Sequence, residues 1–243
     1  MMQEGNWHSD AKWLDPKDLG KVLVIAPHQD DESLGCGGTI ASLREYGLSV
    51  HVLFITDGSK SHPNSIKYPF KKLVSLREQE SLNALGILGV GAKDVTFLRL
   101  PDGALPGSGE EGFGENAGLV SAVLKTIKPQ TIFLPWQRDP HRDHRATWQI
   151  TTEAIKQTDT KVGQLEYLIW LWERADDADL PKPEEVKVWK TDIESVKQKK
   201  KDAIKAHVSQ TTQLIDDDPE GFTLSEEVLN HFDKSIEIFI ERS

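Results

Sequence analysis

Residues 21–32 read Lys21-Val22-Leu23-Val24-Ile25-Ala26-Pro27-His28-Gln29-Asp30-Asp31-Glu32. The apolar run, with two valines and an isoleucine, suits a strand buried on both faces, as in a parallel sheet. It stops at Pro27, and three consecutive carboxylates follow at Asp30, Asp31 and Glu32. Such carboxylates repel one another without a cation, and burial of a neighbouring strand makes the repulsion costly.

The pattern repeats outward from this stretch. Gly37–Tyr46 reads as a helix with Gly47 as its cap, and Val50–Ile55 as the next buried strand, ended by Asp57-Gly58. Val74–Leu85 has helical periodicity and Asp94–Leu100 reads as a strand. Residues 103–116, with five glycines, predict a long surface loop. Ala117–Ile127 is expected as a helix, Thr131–Pro135 as a strand, Arg145–Gln157 as a helix and Leu165–Trp172 as a strand. Alternation of strand and helix from 21 to 172 predicts an α/β fold, a mostly parallel sheet with helices on both faces. Residues 1–18 read as an irregular lead-in and 175–183 as an exposed acidic linker. Val186–Trp189 reads as a short strand, and Ile193–His207 and Leu224–Ile240 as helices. The expected organisation is a catalytic core over 19–174 and a C-terminal extension over 175–243 packed on the same domain.

The chain has 243 residues, 29 Lys+Arg against 39 Asp+Glu, and a net charge of −10. An acidic chain without a long basic run lacks the footprint of a nucleic-acid binder. No apolar window approaches the ~18 residues of a membrane span, and the first residues lack the pattern of a signal peptide. A single cysteine, Cys36, excludes an internal disulfide and a Cys-rich zinc module. A cytoplasmic protein is expected, with a homo-oligomer left open.

Two segments carry metal-ligand residue types at strand ends: 27–32 and Asp139-Pro140-His141-Arg142-Asp143-His144. In an open parallel sheet the ligand site lies off the carboxyl ends of the strands, so both should reach one rim if their strands are near neighbours. His28, Asp31 and His144 make a set of two histidines and a carboxylate, a type that binds zinc with a position left open for water. Zinc lowers the pKa of water from 15.7 to ~7 and polarises a carbonyl. Asp30 is the adjacent carboxylate available as general base. Asp143 is placed to hydrogen-bond His141 and favour its cationic form, which would stabilise an oxyanion. Trp136, just before the second segment, is the tryptophan best placed to touch a substrate.

These residues resemble the LmbE/PIG-L family of zinc-dependent N-acetylglucosaminyl deacetylases. The family's Pro-His-Pro-Asp-Asp-Glu stands as Pro27-His28-Gln29-Asp30-Asp31-Glu32, and its His-Pro-Asp-His as His141-Arg142-Asp143-His144. Thr56-Asp57-Gly58, Arg77-Glu78-Gln79-Glu80, Pro101-Asp102-Gly103 and Lys200 with His207-Val208-Ser209-Gln210 are weaker matches, and together with the two histidine motifs they cover about 21–212. The resemblance implies a Rossmann-like fold with His28, Asp31 and His144 as zinc ligands, iron(II) being the alternative metal. It implies Asp30 as the base and His141, oriented by Asp143, as the electrostatic stabiliser. Arg77 and Asp102 match positions that hold sugar hydroxyls. The implied partner is an N-acylated amino sugar or related small molecule. Gln29 and Arg142 replace the family's prolines, and Asp139 stands where some relatives have tyrosine.

Other features are read more plainly. Gly35, Gly37 and Gly38 do not form G-x-G-x-x-G at the strand end, so close helix–sheet packing is expected rather than nucleotide binding. Ser33 lacks the context of a nucleophile elbow and reads as an N-terminal helix residue. Cys36 reads as a packing residue, His51 and His62 as satisfied or surface groups, Trp170 as core or edge, and Lys199–Lys201 as a solvated face. Rival functions are an amidase acting on a thiol conjugate or other non-sugar amide, and a non-catalytic glycan-binding module.

Overall fold

The computed structural model describes residues 6–158 and 161–243; the first five residues of the expected lead-in lie outside them. In chain order the elements are β1 (Lys12–Trp13), β2 (Val22–Ala26), α1 (Asp31–Glu45), β3 (Val50–Thr56), α2 (Phe70–Ile87) and β4 (Val95–Leu100). These are followed by α3 (Phe113–Ile127), β5 (Thr131–Pro135), α4 (Arg142–Thr158), β6 (Gly163–Tyr167) and α5 (Leu171–Arg174). Then come β7 (Val186–Asp192), α6 (Lys197–Ala206), α7 (Val208–Thr211), α8 (Glu226–Phe232) and β8 (Ile236–Arg242).

The strands form one sheet in the order β1-β7-β8-β6-β5-β2-β3-β4, in which only β8 runs against the rest. Alternation along β2 builds both sides of the core. Val22, Val24 and Ala26 pack with Leu34 and Ile40 of α1, Leu85 of α2 and Ile204 of α6. Leu23 and Ile25 pack with Val120 and Leu124 of α3 and Ile150 of α4. This is the period-2 signature of a strand covered by helices on both faces.

The decisive adjacency is at the centre. β2 pairs in parallel with β3 on one side and with β5 on the other, Val22 aligning with Val50 and with Thr131. The chain winds outward through β3 and β4, then α3 carries it back to β5. The strand order therefore reverses between β2 and β5, where ligands sit in open α/β sheets. Both metal-type segments leave these two strands.

Several expected boundaries move. α1 begins at Asp31, six residues before Gly37, because the acidic residues of its first turn suit a helix N-terminus. The expected glycine packing is present: a Cβ on Gly35 would lie 2.4 Å from the Tyr167 ring, and one on Gly38 2.5 Å from Ile193. The 103–116 loop is shortened by α3, which starts at Phe113. The strand expected over 165–172 ends at Tyr167 and gives way to α5. Part of the lead-in forms β1, paired with β7.

The largest correction is at Leu224–Ile240, which is not one helix. Ser225 caps α8 by accepting from the Val228 amide, and the helix ends at Asp233, whose φ/ψ of −85°/58° is not helical. Ile236, Ile238 and Ile240 then alternate at strand period, and β8 fills the gap between β6 and β7. Residues beyond 175 thus supply two strands of the same sheet.

Candidate metal centre and cleft

The turn after β2 is held from below. Gln29 is fully buried and its Nε2 donates to the Thr56 carbonyl at 2.8 Å. Arg77, buried on α2, donates to the carbonyls of Gln29 and Gly58, each at 2.9 Å, tying the β2 and β3 turns together. Gly58 has φ +67°, and a Cβ there would meet Gln29 Oε1 at 2.1 Å, so glycine alone fits. Asp30 follows with φ 155° and ψ −26°, a backbone region that non-glycine residues rarely occupy and that clusters at functional sites.

Asp31 opens α1 and turns its carboxylate back to the strand end. Its Oδ2 accepts from the His28 amide at 2.9 Å and lies 3.3 Å from His28 Nδ1 and 3.2 Å from His144 Nε2. Ligand atoms of His28, His141 and His144 all lie within 4.8 Å of one another, and so do those of His28, Asp102 and Asp143. The two segments therefore meet, and His28, Asp31 and His144 are brought together as the sequence implies.

The chemistry of this donor set fits a cation. His144 is completely buried, and neither ring nitrogen has a hydrogen-bond partner among the described residues. Its Nδ1 lies 3.4 Å from the buried Asp139, the arrangement that orients a ligating histidine. Asp30, Asp31 and Asp102 line the cleft, Asp139 and Asp143 lie against His144 and His28, and all five are buried. Protons on two of the histidines offset part of this negative charge. Burial would lower the pKa of His28, yet hydrogen bonds to Asp102, Asp143 and Asp31 hold it well above its ordinary value. Burial is likewise outweighed at His144, where Asp31 and Asp139 push the pKa up to about 9. Asp31 would be raised by burial but is driven far below the carboxylate range by His144 and His28. Metal binding releases such protons.

Asp30 lines the cleft and makes no ligand contact of this kind. Burial, reinforced by Asp31 and opposed by Arg77 3.6 Å away, raises its pKa to about 6. His141 differs from the expected cation. Burial, together with the charges of His144 and His28, lowers its pKa to about 4. The side chain of Asp143 does not orient it: that carboxylate accepts from the amides of Gly103 (2.7 Å) and Leu105 (3.4 Å) and lies 3.3 Å from His28. Instead the Asp143 amide donates to His141 Nδ1 at 3.2 Å.

A cleft of about 220 Å³ opens onto these groups, with His28, Asp30, Asp31, Arg77, Asp102 and His141 in its wall. Asp102 accepts from the Lys60 amide at 2.7 Å and lies 3.2 Å from His28. Trp136 is not in this wall. It is fully buried against Leu168 and Val186, and its Nε1 donates to the Asp179 carbonyl. Trp170, read as a core or edge residue, lines the cleft instead with Arg174 3.9 Å over its ring. Gln210, Phe222 and Leu224 complete the far wall. Gln210 lay in a weak match of the sequence, whereas Phe222 and Leu224 carry no motif. His207 sits behind the cleft, within 3.1 Å of Glu32 and 3.3 Å of Ser33.

Comparison with known proteins gives the same frame. A sequence model of the PIG-L family, described as GlcNAc-PI de-N-acetylase, matches residues 23–155, more than half of the chain. The protein belongs to the PIG-L family. It is 32% identical over 150 residues to the diacetylchitobiose deacetylase of Thermococcus kodakarensis, a match covering 60% of this chain and 53% of that one. The chain thus spans about half the length of that relative. It is 27% identical to a probable N-acetyl-alpha-D-glucosaminyl L-malate deacetylase 2 of Bacillus cereus, over 81% of this chain and 86% of the relative. Among solved structures, the N,N'-diacetylchitobiose deacetylase of Pyrococcus horikoshii superposes with a TM-score of 0.63 at 25% identity, covering 88% of this chain and 76% of that one. The matched PIG-L region contains both histidine segments. No helix among the described residues is long and apolar enough to cross a membrane.

Proposed function

We propose that this protein is a metal-dependent hydrolase that removes the acetyl group from the nitrogen of an amino-sugar substrate. The observation that carries the reading is the meeting of the two histidine segments at the switch between β2 and β5, beside the buried carboxylate of Asp30. The names of the PIG-L relatives support the acetylated amino sugar as substrate class. His28, Asp31 and His144 would hold the ion, zinc or iron(II) by the donor set. When bound, such an ion lowers the pKa of water and polarises the amide carbonyl.

The chain's own residues do the rest. Asp30 takes the proton from the attacking water and passes it to the departing amine. His141 accepts the Asp143 amide at Nδ1, which leaves Nε2–H as donor to the carbonyl oxygen as negative charge grows there. Asp139 is occupied by the amides of His141 and Trp170, and its task is to orient His144 rather than to bind the oxyanion. Arg77 fixes the turn that carries Asp30, and Asp102 faces the cleft, placed to accept from a sugar hydroxyl.

The test is acetate release from N,N'-diacetylchitobiose, N-acetylglucosaminyl malate and a thiol-conjugate amide, by metal-loaded wild type and Asp30→Asn. The expected result is turnover of an acetylated amino sugar, reduced about 10²- to 10⁴-fold in the variant with metal retained. Turnover of the thiol conjugate alone would move the substrate class, and an unimpaired variant would remove Asp30 from the mechanism.

A further inference from the structure

A second cavity, of about 610 Å³, adjoins the first turn of α1, with Leu34 in the walls of both this cavity and the catalytic cleft. Leu34, Gly35 and Leu168 give it buried apolar wall. Trp172, Phe232 and Ile238 extend the apolar lining, and Ile236 stands 42% exposed at the rim. The volume falls within the range of sites that enclose a small organic molecule.

The charges of this cavity are one-sided. Lys190, Lys200 and Lys234 line it, against a single carboxylate, Glu237. Glu237 is already committed. It accepts from the amides of Gly38 and Thr39, from Thr39 Oγ1 and from Lys200 Nζ, all at 2.6–2.8 Å. Lys200 is 3% exposed, and an ammonium has three donors. Glu237 takes one of them, and Lys200 has no other hydrogen-bond acceptor among the described residues. Lys190 and Lys234 have no carboxylate partner among those residues; Lys190 lies over the Trp13 ring at 4.5 Å. His231 also lines the cavity but is held by Glu173 at 2.7 Å. A pocket richer in lysine than in acid stands out on a chain of net charge −10.

We propose that this cavity is a second binding site, for a monocarboxylate with an apolar body such as a medium-chain fatty acid. The carboxylate neutralises the lysine excess and supplies the acceptors that Lys200 lacks. The apolar body lies against Leu34 and Phe232 and covers the partly exposed Trp172 and Ile236, removing their apolar surface from water. A sugar would leave this apolar lining unused, and a neutral hydrocarbon would leave the lysines unpaired.

The experiment is calorimetric titration of decanoate into the metal-loaded full chain, with 1-decanol as the uncharged control. Binding is read as heat, so the result does not depend on which amide the enzyme hydrolyses. Saturable binding of one decanoate per chain is expected, with decanol weaker by about tenfold or more. The double variant Lys190→Glu/Lys234→Glu, altered at one half-buried and one exposed lysine of the cavity wall, should bind decanoate at least about tenfold more weakly with hydrolysis and circular dichroism unchanged. Ile236→Arg, which adds positive charge but obstructs the apolar rim, should also weaken binding. Absence of saturable heat would overturn the proposal. Equal affinity for decanol, or undiminished affinity in the double variant, would overturn it as well.

Discussion

Two buried charge clusters flank α1, and they are built in opposite ways. The rear cluster is closed around its carboxylate. Non-helical backbone at Cys36 (φ −144°, ψ 19°) splits α1, and the amides of Gly38 and Thr39 beyond the break are taken by Glu237 of β8. Thr39 Oγ1 and Lys200 Nζ complete the set, so every lone-pair direction of that carboxylate has a donor. In effect the C-terminal strand caps the second half of a helix near the other end of the sequence. The front cluster is open. Five aspartates and three histidines share one rim, His28 lies within 3.3 Å of three carboxylates, and the nitrogens of His144 have no hydrogen-bond partner among the described residues. A buried carboxylate whose lone pairs all have donors is structure, whereas a buried cluster with more carboxylates than cations calls for a further cation.

That contrast can be tested from the rear first. Glu237→Ala strands the Lys200 ammonium and the two amides, and removal of one partner from a buried pair costs about 3–5 kcal/mol. Urea unfolding of the metal-free protein should show a loss of that size, and a loss within experimental error would mean that the rear cluster does not hold β8 to α1.

A smaller effect concerns Glu166 of β6, which belongs to neither cluster. Burial raises its pKa from 4.5 to about 7, although the Trp148 indole and the Gln137 amide donate to it and Arg242 and Arg138 are nearby. The folded state therefore holds its proton to higher pH than the unfolded state does. Below about pH 4.5 both states are protonated and the group contributes no difference. Stability then falls as pH rises to 7, and the full penalty, about 3 kcal/mol at 1.36 kcal/mol per pH unit, applies above it. Glu166→Gln should flatten the fall in urea midpoint between pH 4.5 and 8, and parallel curves for the two proteins would refute this account of the carboxyl.

How far the sequence could be read follows the range of the forces involved. β2 was legible because it is covered on both faces, and near-continuous apolar residues then have one ready explanation. The meeting of His28, Asp31 and His144 was legible because motifs at the ends of neighbouring parallel strands share a rim. β8 was not. Leu224–Ile240 carries apolar residues at helical and at strand spacing, and the gap between β6 and β7 decides for strand over its second half. Lys200 reads as one of three surface lysines until Glu237 arrives from β8. Trp136 and Trp170 exchange their expected places because the cluster that buries Trp136 includes Val186 and Ile240, brought from far along the chain. The partner of Asp143 was misread for a similar reason: the amides of Gly103 and Leu105 come from a loop that sequence spacing does not position.

The central claim is that the two histidine segments form one metal centre. Its most direct test is the metal content of protein purified without added metal, measured beside His144→Ala. The account predicts about one zinc or iron ion per wild-type chain. It predicts that the ion is absent from His144→Ala, whose circular dichroism shows the fold retained. Wild-type protein that is metal-free and takes up no zinc on titration, or a variant that keeps its full complement of metal, would contradict it.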